Sequence, residues 1–166
     1  MTIRFEPLSR VHNRKGFRCG EHALDTWFEL QASQDQKRNI ARVFVALDSE
    51  GVVGFYSLSM FTLALDEIPS VLSHKLPSYS AIPAALIGRL ARHERVRSEG
   101  IGDLLVADAI SRVLSVSETI AAYAIVVDAK NEHAVTFYRS FGFVPFPDTA
   151  SRLFLLCETA RRALNK

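Results

Sequence analysis

Hydrophobic positions along the chain change period several times, and each change marks an element. Leu24, Trp27 and Phe28 recur at i, i+3 and i+4, which gives a helix over residues 22–36 one apolar face. Val43-Phe44-Val45-Ala46-Leu47 is an apolar run of strand length. Asp48-Ser49-Glu50-Gly51 is a turn, and residues 52–65 resume as a long strand, so this region predicts a hairpin. Residues 66–83 carry Pro69, Pro77, Pro83 and several serines and read as a loop with room for a short helix.

Further on, residues 84–91 are apolar apart from Arg89 and predict another strand. Between Gly102 and Leu114, the residues Leu105, Ala109 and Val113, with Leu104 and Ile110 beside them, follow a helical period. Ile120 to Val127 is uninterrupted and apolar, which suits a strand buried on both faces. Residues 132–140 predict a short helix that Gly142 can stop. A last strand over 152–157 and a helical tail over 158–164 complete the pattern, which is that of an α/β fold with a mixed sheet and helices on its faces.

Composition narrows the class. With 166 residues and 48% hydrophobic content, the chain suits one domain with a real core and excludes disorder or low complexity. It has no apolar stretch of about 18 residues and opens on Met1-Thr2-Ile3-Arg4-Phe5-Glu6, without the apolar run of a signal peptide. Cys19 and Cys157 make neither a disulfide framework nor a metal cluster. A soluble cytoplasmic domain without a metal is the expectation. The net charge of +2 argues at first against a nucleic-acid partner. Its distribution changes that: residues 43–68 hold four acidic side chains and no basic one, while residues 1–42 hold eight basic against five acidic.

Two stretches carry chemistry. In Ile87-Gly88-Arg89-Leu90-Ala91-Arg92-His93-Glu94-Arg95-Val96-Arg97-Ser98-Glu99-Gly100-Ile101-Gly102-Asp103, a strand leads through a basic turn and two glycines into a helix. Glycines let backbone N–H groups approach a ligand, and a helix N-terminus adds unpaired donors, so the pattern suits a phosphate or pyrophosphate. The third glycine of the dinucleotide fingerprint is missing and no Gly-Lys-Ser/Thr occurs, which excludes the Rossmann and P-loop readings. On two glycines alone, a turn that merely opens a helix is the commoner explanation. In the second stretch, residues 127–143, a buried strand ends at a polar turn and a short helix carries Tyr138. A phenol of ordinary pKa near 10 suits protonation of a basic leaving group such as a thiolate. Alone, it reads more simply as an amphipathic aromatic with its ring in the core and its hydroxyl in water.

Together, the two stretches resemble the GNAT-type N-acetyltransferases. Arg97-x-x-Gly100-x-Gly102 matches that family's acetyl-CoA motif, and Asn131-x-x-Ala134-x-x-Phe137-Tyr138-x-x-Phe141-Gly142-Phe143 resembles its second motif. Phe17-Arg18-Cys19-Gly20, Ala23-Leu24-Asp25-x-Trp27-Phe28, Gly54-Phe55-Tyr56-Ser57-Leu58-Ser59, Ile87-Gly88-Arg89-Leu90-Ala91 and Leu153-Phe154-Leu155 extend the similarity toward the acetyltransferase toxins of bacterial toxin–antitoxin pairs. The resemblance implies a single GNAT domain over residues 1–166, with a mostly antiparallel sheet. It implies that Leu90, Ala91 and Arg92 present backbone groups to the pantetheine arm and thioester of acetyl-CoA. Arg97, Ser98, Glu99, Gly100, Ile101, Gly102 and Asp103 would hold the pyrophosphate, Asn131 and Phe137 would line the arm, and Tyr138 would protonate the departing thiolate. No acyl-enzyme is needed, so neither cysteine has a role in that scheme. His93-Glu94-Arg95 and Val96 depart from the family pattern where acceptor and cofactor meet.

The implied acceptor is the α-amine of aminoacyl-tRNA, whose acetylation blocks translation. No general base is evident, and such an amine, with a pKa below an ordinary α-amino value of about 8, is already substantially neutral at cytoplasmic pH, so positioning can suffice. Lys37, Arg38, Arg42, Arg89, Arg92 and Arg95 are candidates for tRNA phosphates, with a solvated surface as the equal alternative. His74 and His133 read as surface residues, Asp66 and Glu67 as solvated turn residues, and Trp27, Phe28, Phe137 and Phe141 as packing. A ribbon-helix-helix antitoxin and a homodimer are the implied partners. Acetylation of a small amine or a protein N-terminus, and a CoA- or partner-binding module with little catalysis, stay open as other readings.

Overall fold

The computed structural model describes residues 2–77 and 81–165. Its strands are β1 (Arg4–Pro7), β2 (Arg42–Asp48), β3 (Gly51–Leu63), β4 (Ile82–Arg92), β5 (Ala124–Asp128), β6 (Val144–Pro145) and β7 (Arg152–Leu156). The helices are α1 (His22–Leu30), α2 (Ala32–Lys37), α3 (Ser70–Ser73), α4 (Ile101–Val116), α5 (Glu132–Arg139) and α6 (Cys157–Leu164), with short 3-10 turns at Leu65–Glu67 and Glu94–Val96. Hydrogen bonding orders the strands β1-β2-β3-β4-β5-β7-β6. β4 and β5 pair in parallel, while β1/β2, β2/β3, β5/β7 and β6/β7 pair antiparallel. This is the α/β fold with a mixed, mostly antiparallel sheet that the sequence predicts.

The chain divides into two compact units, Met1–Ser59 with Gly88–Ala109 and Met60–Ile87 with Ile110–Lys166. In the first unit, Trp27 and Phe28 of α1 are buried as their spacing requires. The Phe28 ring stacks on Phe55 of β3 at 4.2 Å, and Phe17 meets both edge-on at 5.1 and 5.5 Å. The helix expected over 22–36 is two helices, broken at Gln31. Across the break Ala32, four residues after Phe28, keeps to the buried face, and Trp27 Nε1 donates to Asp35 of α2 at 2.9 Å. Asp48 closes the β2–β3 turn by accepting from the N–H groups of Glu50 and Gly51.

Gly54 is the glycine this unit depends on. A Cβ there would lie 2.9 Å from Leu105 Cδ1 and 3.0 Å from the Ala91 carbonyl oxygen, so the start of α4 packs directly on β3. Leu105, Val106 and Ala109 are fully buried on that helix, whereas Leu104 is an exposed residue of its outer face.

In the second unit, Ala124–Val127 are fully buried between β4 and β7, which explains their lack of alternation. The strand starts at Ala124 rather than Ile120, because the end of α4 is prolonged by turns closing on Val113 and Val116 and leaves Ile120 exposed. Leu63, Ile68, Ile82, Val126, Phe146 and Phe154 form the main cluster of this unit. The 66–83 loop contains α3 as anticipated, and its residues 78–80 lie outside the described residues.

Candidate active site

Cα partners of β4 with β5 end at Ile87↔Val127, and Leu90, Ala91 and Arg92 continue past that pair into the first unit. The chain then enters a bracket, His93–Arg97, held by backbone bonds on two sides. His93 N donates to the Val53 carbonyl at 2.8 Å and Glu94 N to that of Arg18 at 2.7 Å. Val96 plugs the core at 2% exposure, and Arg97 N closes on Glu94 at 3.1 Å. Of the departures from the family pattern, Val96 thus faces inward, while Glu94 and Arg95 are exposed and His93 is half-buried.

The loop that follows has two residues in the left-handed region, Ser98 (φ 66°) and Gly100 (φ 79°). Nothing lies within 4 Å of where a Gly100 Cβ would sit, so the space beside this backbone is open. α4 begins at Ile101, and its first-turn N–H groups have no intrahelical acceptor. A left-handed turn feeding a helix N-terminus is an anion cradle, and it fits a pyrophosphate. Glu99 and Asp103 are exposed acids there, so the cradle's attraction for an anion comes from its backbone.

In the second unit, β5 ends at Asp128, whose carboxylate takes two hydrogen bonds from Arg152, at 2.8 and 3.1 Å. Asn131 caps α5: its Oδ1 accepts from Ala134 N at 2.9 Å, which leaves the amide NH2 as a donor. Tyr138 sits near the end of α5 with its ring against Phe137 (5.3 Å) and Phe143 (5.7 Å). Gly142 (φ 98°) reverses the chain so that Phe143 returns beneath the tyrosine. Phe137 and Phe141 are half-buried and meet at 5.3 Å.

The Tyr138 side chain is 8% exposed, and burial pushes its hydroxyl up to about 12. That hydroxyl makes no hydrogen bond to a described residue, and no fully buried side-chain polar atom among them lacks a partner. The ring is therefore in the core, and the oxygen is largely desolvated without being sealed off. At neutral pH it is a proton donor and not a base.

The basic candidates divide by what already holds them. Lys37 and Arg38 are exposed at the end of α2, and Arg92 is half-buried. Arg42 donates to Asn39 and to the Gln36 carbonyl. The Arg89 guanidinium lies over the Trp27 ring at 4.3 Å, and its backbone N–H is taken by the buried Ser57 hydroxyl at 3.0 Å. Arg95 grips Asp48 through both terminal nitrogens at 2.9 Å and reaches Glu50 at 3.0 Å, so its charge is spent within the protein. Asp48 is what sequence reasoning missed: its Asp-x-x-Gly turn signal was legible, but its pairing with a residue 47 positions away was not. His74, His133 and Asp66 are exposed, and Glu67 accepts from Ala64 N at 2.7 Å, a local cap. Cys19 and Cys157 are thiols, the latter pushed up by burial. Among the described residues, no group of three His, Cys, Asp or Glu could hold a metal, and no helix is long and apolar enough to cross a membrane.

Comparison with known proteins adds to this geometry. Residues 39–145 match the acetyltransferase (GNAT) domain model. A probable toxin TacT of Sinorhizobium fredii is 30% identical over 94% of this chain and 92% of its own length. A tRNA-acetylating toxin of Mycobacterium tuberculosis is 32% identical over 93% of this chain and 92% of its own. Among solved structures, AtaT complexed with acetyl-methionyl-tRNAfMet superposes with a TM-score of 0.90 at 28% identity, over 98% of this chain and 99% of that one. A tyrosine-to-phenylalanine mutant of AtaT, bound to the C-terminus of the antitoxin AtaR and acetyl-CoA, gives 0.84 at 25% identity, covering both chains fully.

Proposed function

The chain belongs to the acetyltransferase (GNAT) family, and we propose that it moves the acetyl group of acetyl-CoA onto the α-amine of an aminoacyl-tRNA, blocking translation as the toxin of a type II toxin–antitoxin pair. The observation that carries this reading is similarity at near full length to a tRNA-acetylating toxin, matched in structure by a toxin with acetylated tRNA.

Acetyl-CoA supplies the acetyl group as a thioester. Backbone groups of Leu90, Ala91 and Arg92 bind its pantetheine arm, and one N–H there polarises the thioester carbonyl. Main-chain N–H groups over Ser98, Gly100, Ile101, Gly102 and Asp103 hold the pyrophosphate, in the cradle that Ser98 and Gly100 open, while the Arg97 and Glu99 N–H groups shape that loop by closing on Glu94 and Val96. The Asn131 amide donates to the arm and Phe137 packs beside it. The acceptor amine attacks without a protein base, since in an aminoacyl ester it has a lower pKa than an ordinary α-amine and a substantial neutral fraction at cytoplasmic pH. Tyr138 gives its proton to the leaving thiolate, a role supported by its place near the end of α5 and by a raised pKa that keeps it protonated at neutral pH. Lys37, Arg38, Arg42, Arg89 and Arg92 contact tRNA phosphates. Arg89 is the best prepared of them, because Trp27 fixes its guanidinium.

Residues 1–166 act as a single catalytic domain. The enzyme works in the cytoplasm, where charged tRNA is found, as a homodimer restrained by an antitoxin of the ribbon-helix-helix type. Mass spectrometry of aminoacyl-tRNA after incubation with acetyl-CoA tests the reaction: a gain of one acetyl group on the aminoacyl moiety is expected. Acetylation of only free amines or peptides would replace the tRNA reading.

A further inference from the structure

We propose that Arg95 is a positioning residue: its pairing with Asp48 clamps the His93–Arg97 bracket to the β2–β3 turn and so holds the Ser98–Gly102 loop in its pyrophosphate-binding form. This rests on the reading that this loop binds the pyrophosphate of acetyl-CoA.

Three observations carry it. First, the pair is built for rigidity. Two parallel hydrogen bonds of 2.9 Å fix the guanidinium plane, and the Asp48 side chain is only 5% exposed. The same carboxylate caps the turn through the Glu50 and Gly51 N–H groups, at 2.9 and 3.1 Å. Glu50 adds a third bond to Arg95 at 3.0 Å. An exposed ion pair between flexible side chains would contribute little. This one joins a buried, doubly occupied acid to a planar base.

Second, the bracket needs a clamp on this side. Where His93 and Arg95 face the hairpin turn and residues 11–17, the His93 ring meets Phe17 edge-on at 5.2 Å, and beside them opens a cavity of about 440 Å3. The backbone bonds to Val53 and Arg18 hold residues 93 and 94, and Arg95 is the next residue along. Its ion pair bridges to the turn beside that cavity.

Third, the loop beyond is strained. Ser98 is a non-glycine residue at φ 66°, three positions after Arg95. Such a conformation is unfavourable for a residue with a side chain and persists only when its surroundings over-determine it. A loosened bracket would let Ser98 relax to negative φ, and the backbone donors between it and Gly102 would lose their common direction.

The test compares two acetyl donors, acetyl-CoA and acetyl-pantetheine, which lacks the nucleotide and the pyrophosphate, in wild type, Arg95→Ala, Asp48→Asn and the double variant. Asp48→Asn keeps an oxygen to cap the turn and so remains folded, which thermal melting checks. For each single variant the KM for acetyl-CoA is expected to rise about tenfold, the equivalent of one charged hydrogen bond. Unchanged values are expected for kcat, for the KM of acetyl-pantetheine and for the salt dependence of tRNA binding. The double variant should be no worse than either single one, because both remove the same clamp. Equal losses with both donors, or a defect confined to tRNA binding and its salt slope, would overturn the proposal. If wild type prefers acetyl-CoA and the variants keep that preference, the proposal alone fails. If wild type uses both donors equally well, the pyrophosphate reading fails and takes the proposal with it.

Discussion

Removing one oxygen, in Tyr138→Phe, separates catalysis from folding in this protein. The ring stays in its cage of Phe137 and Phe143, and the hydroxyl has no hydrogen bond to lose, so stability at pH 7 should change by less than about 0.5 kcal/mol. Turnover with aminoacyl-tRNA should fall by about 10²–10⁴, the usual contribution of a positioned acid, while the affinity for acetyl-CoA is preserved. The raised pKa gives a second readout. Burial lifts the Tyr138 hydroxyl from 10 to about 12 in the folded chain. Above pH 10 the unfolded chain releases this proton and the folded chain keeps it, so stability is lost as pH rises from 10 towards 12. Two units correspond to roughly 3 kcal/mol. Denaturant melts of wild type and variant between pH 9 and 12 should diverge by that order, with the variant losing less. Single-turnover release of the CoA thiol measures the catalytic part. Undiminished release by Tyr138→Phe would refute the acid role, and parallel alkaline melts would refute the burial argument.

Elsewhere, Gly54→Ala puts a methyl against Leu105 and the Ala91 carbonyl and should cost about 1–3 kcal/mol in a urea melt, whereas a neutral result would mean that α4 can shift off β3. Hydrogen bonding from Arg95 holds the Asp48 carboxyl down at about 2, against an ordinary 3.8. Its stabilisation is therefore present above pH 4 and lost as pH falls through 2, and acid titration of Asp48→Asn should lack that component. For tRNA binding, alanine at Lys37, Arg38 or Arg89 should each lower the slope of log K against log salt by about 1. A wild-type slope near zero would remove the phosphate contacts altogether.

Much of this fold is legible because its elements are long and periodic. Leu24, Trp27 and Phe28 land together against Phe55, and the uninterrupted run over 124–127 is the strand buried on both faces. β1 and β6 escaped because four and two residues, each including a proline, carry no measurable period. The break at Gln31 has no sequence signal, since Ala32 keeps the i+4 spacing from Phe28 and the apolar period runs on across it. At the site, Gly100 announced its left-handed turn and Ser98 did not, because serine rarely adopts that conformation. Charge alone made Arg95 a candidate for tRNA, and only the fold shows that Asp48 already holds it. Tyr138 was legible from its residues alone as a core aromatic, and its ring is buried, but the Gly142 turn that returns Phe143 against it shows only in the fold.

The proposed reaction makes one bond, between an acetyl group and the α-amine of an amino acid esterified to tRNA. Incubating the purified protein with acetyl-CoA and a mixed pool of charged tRNAs, then releasing the aminoacyl-adenosine by ribonuclease for mass spectrometry, reads that bond directly. The account predicts at least one aminoacyl species heavier by an acetyl group, formed by wild type and lost with Tyr138→Phe. A pool that stays unmodified while the protein releases CoA thiol onto free amines or peptides would contradict it.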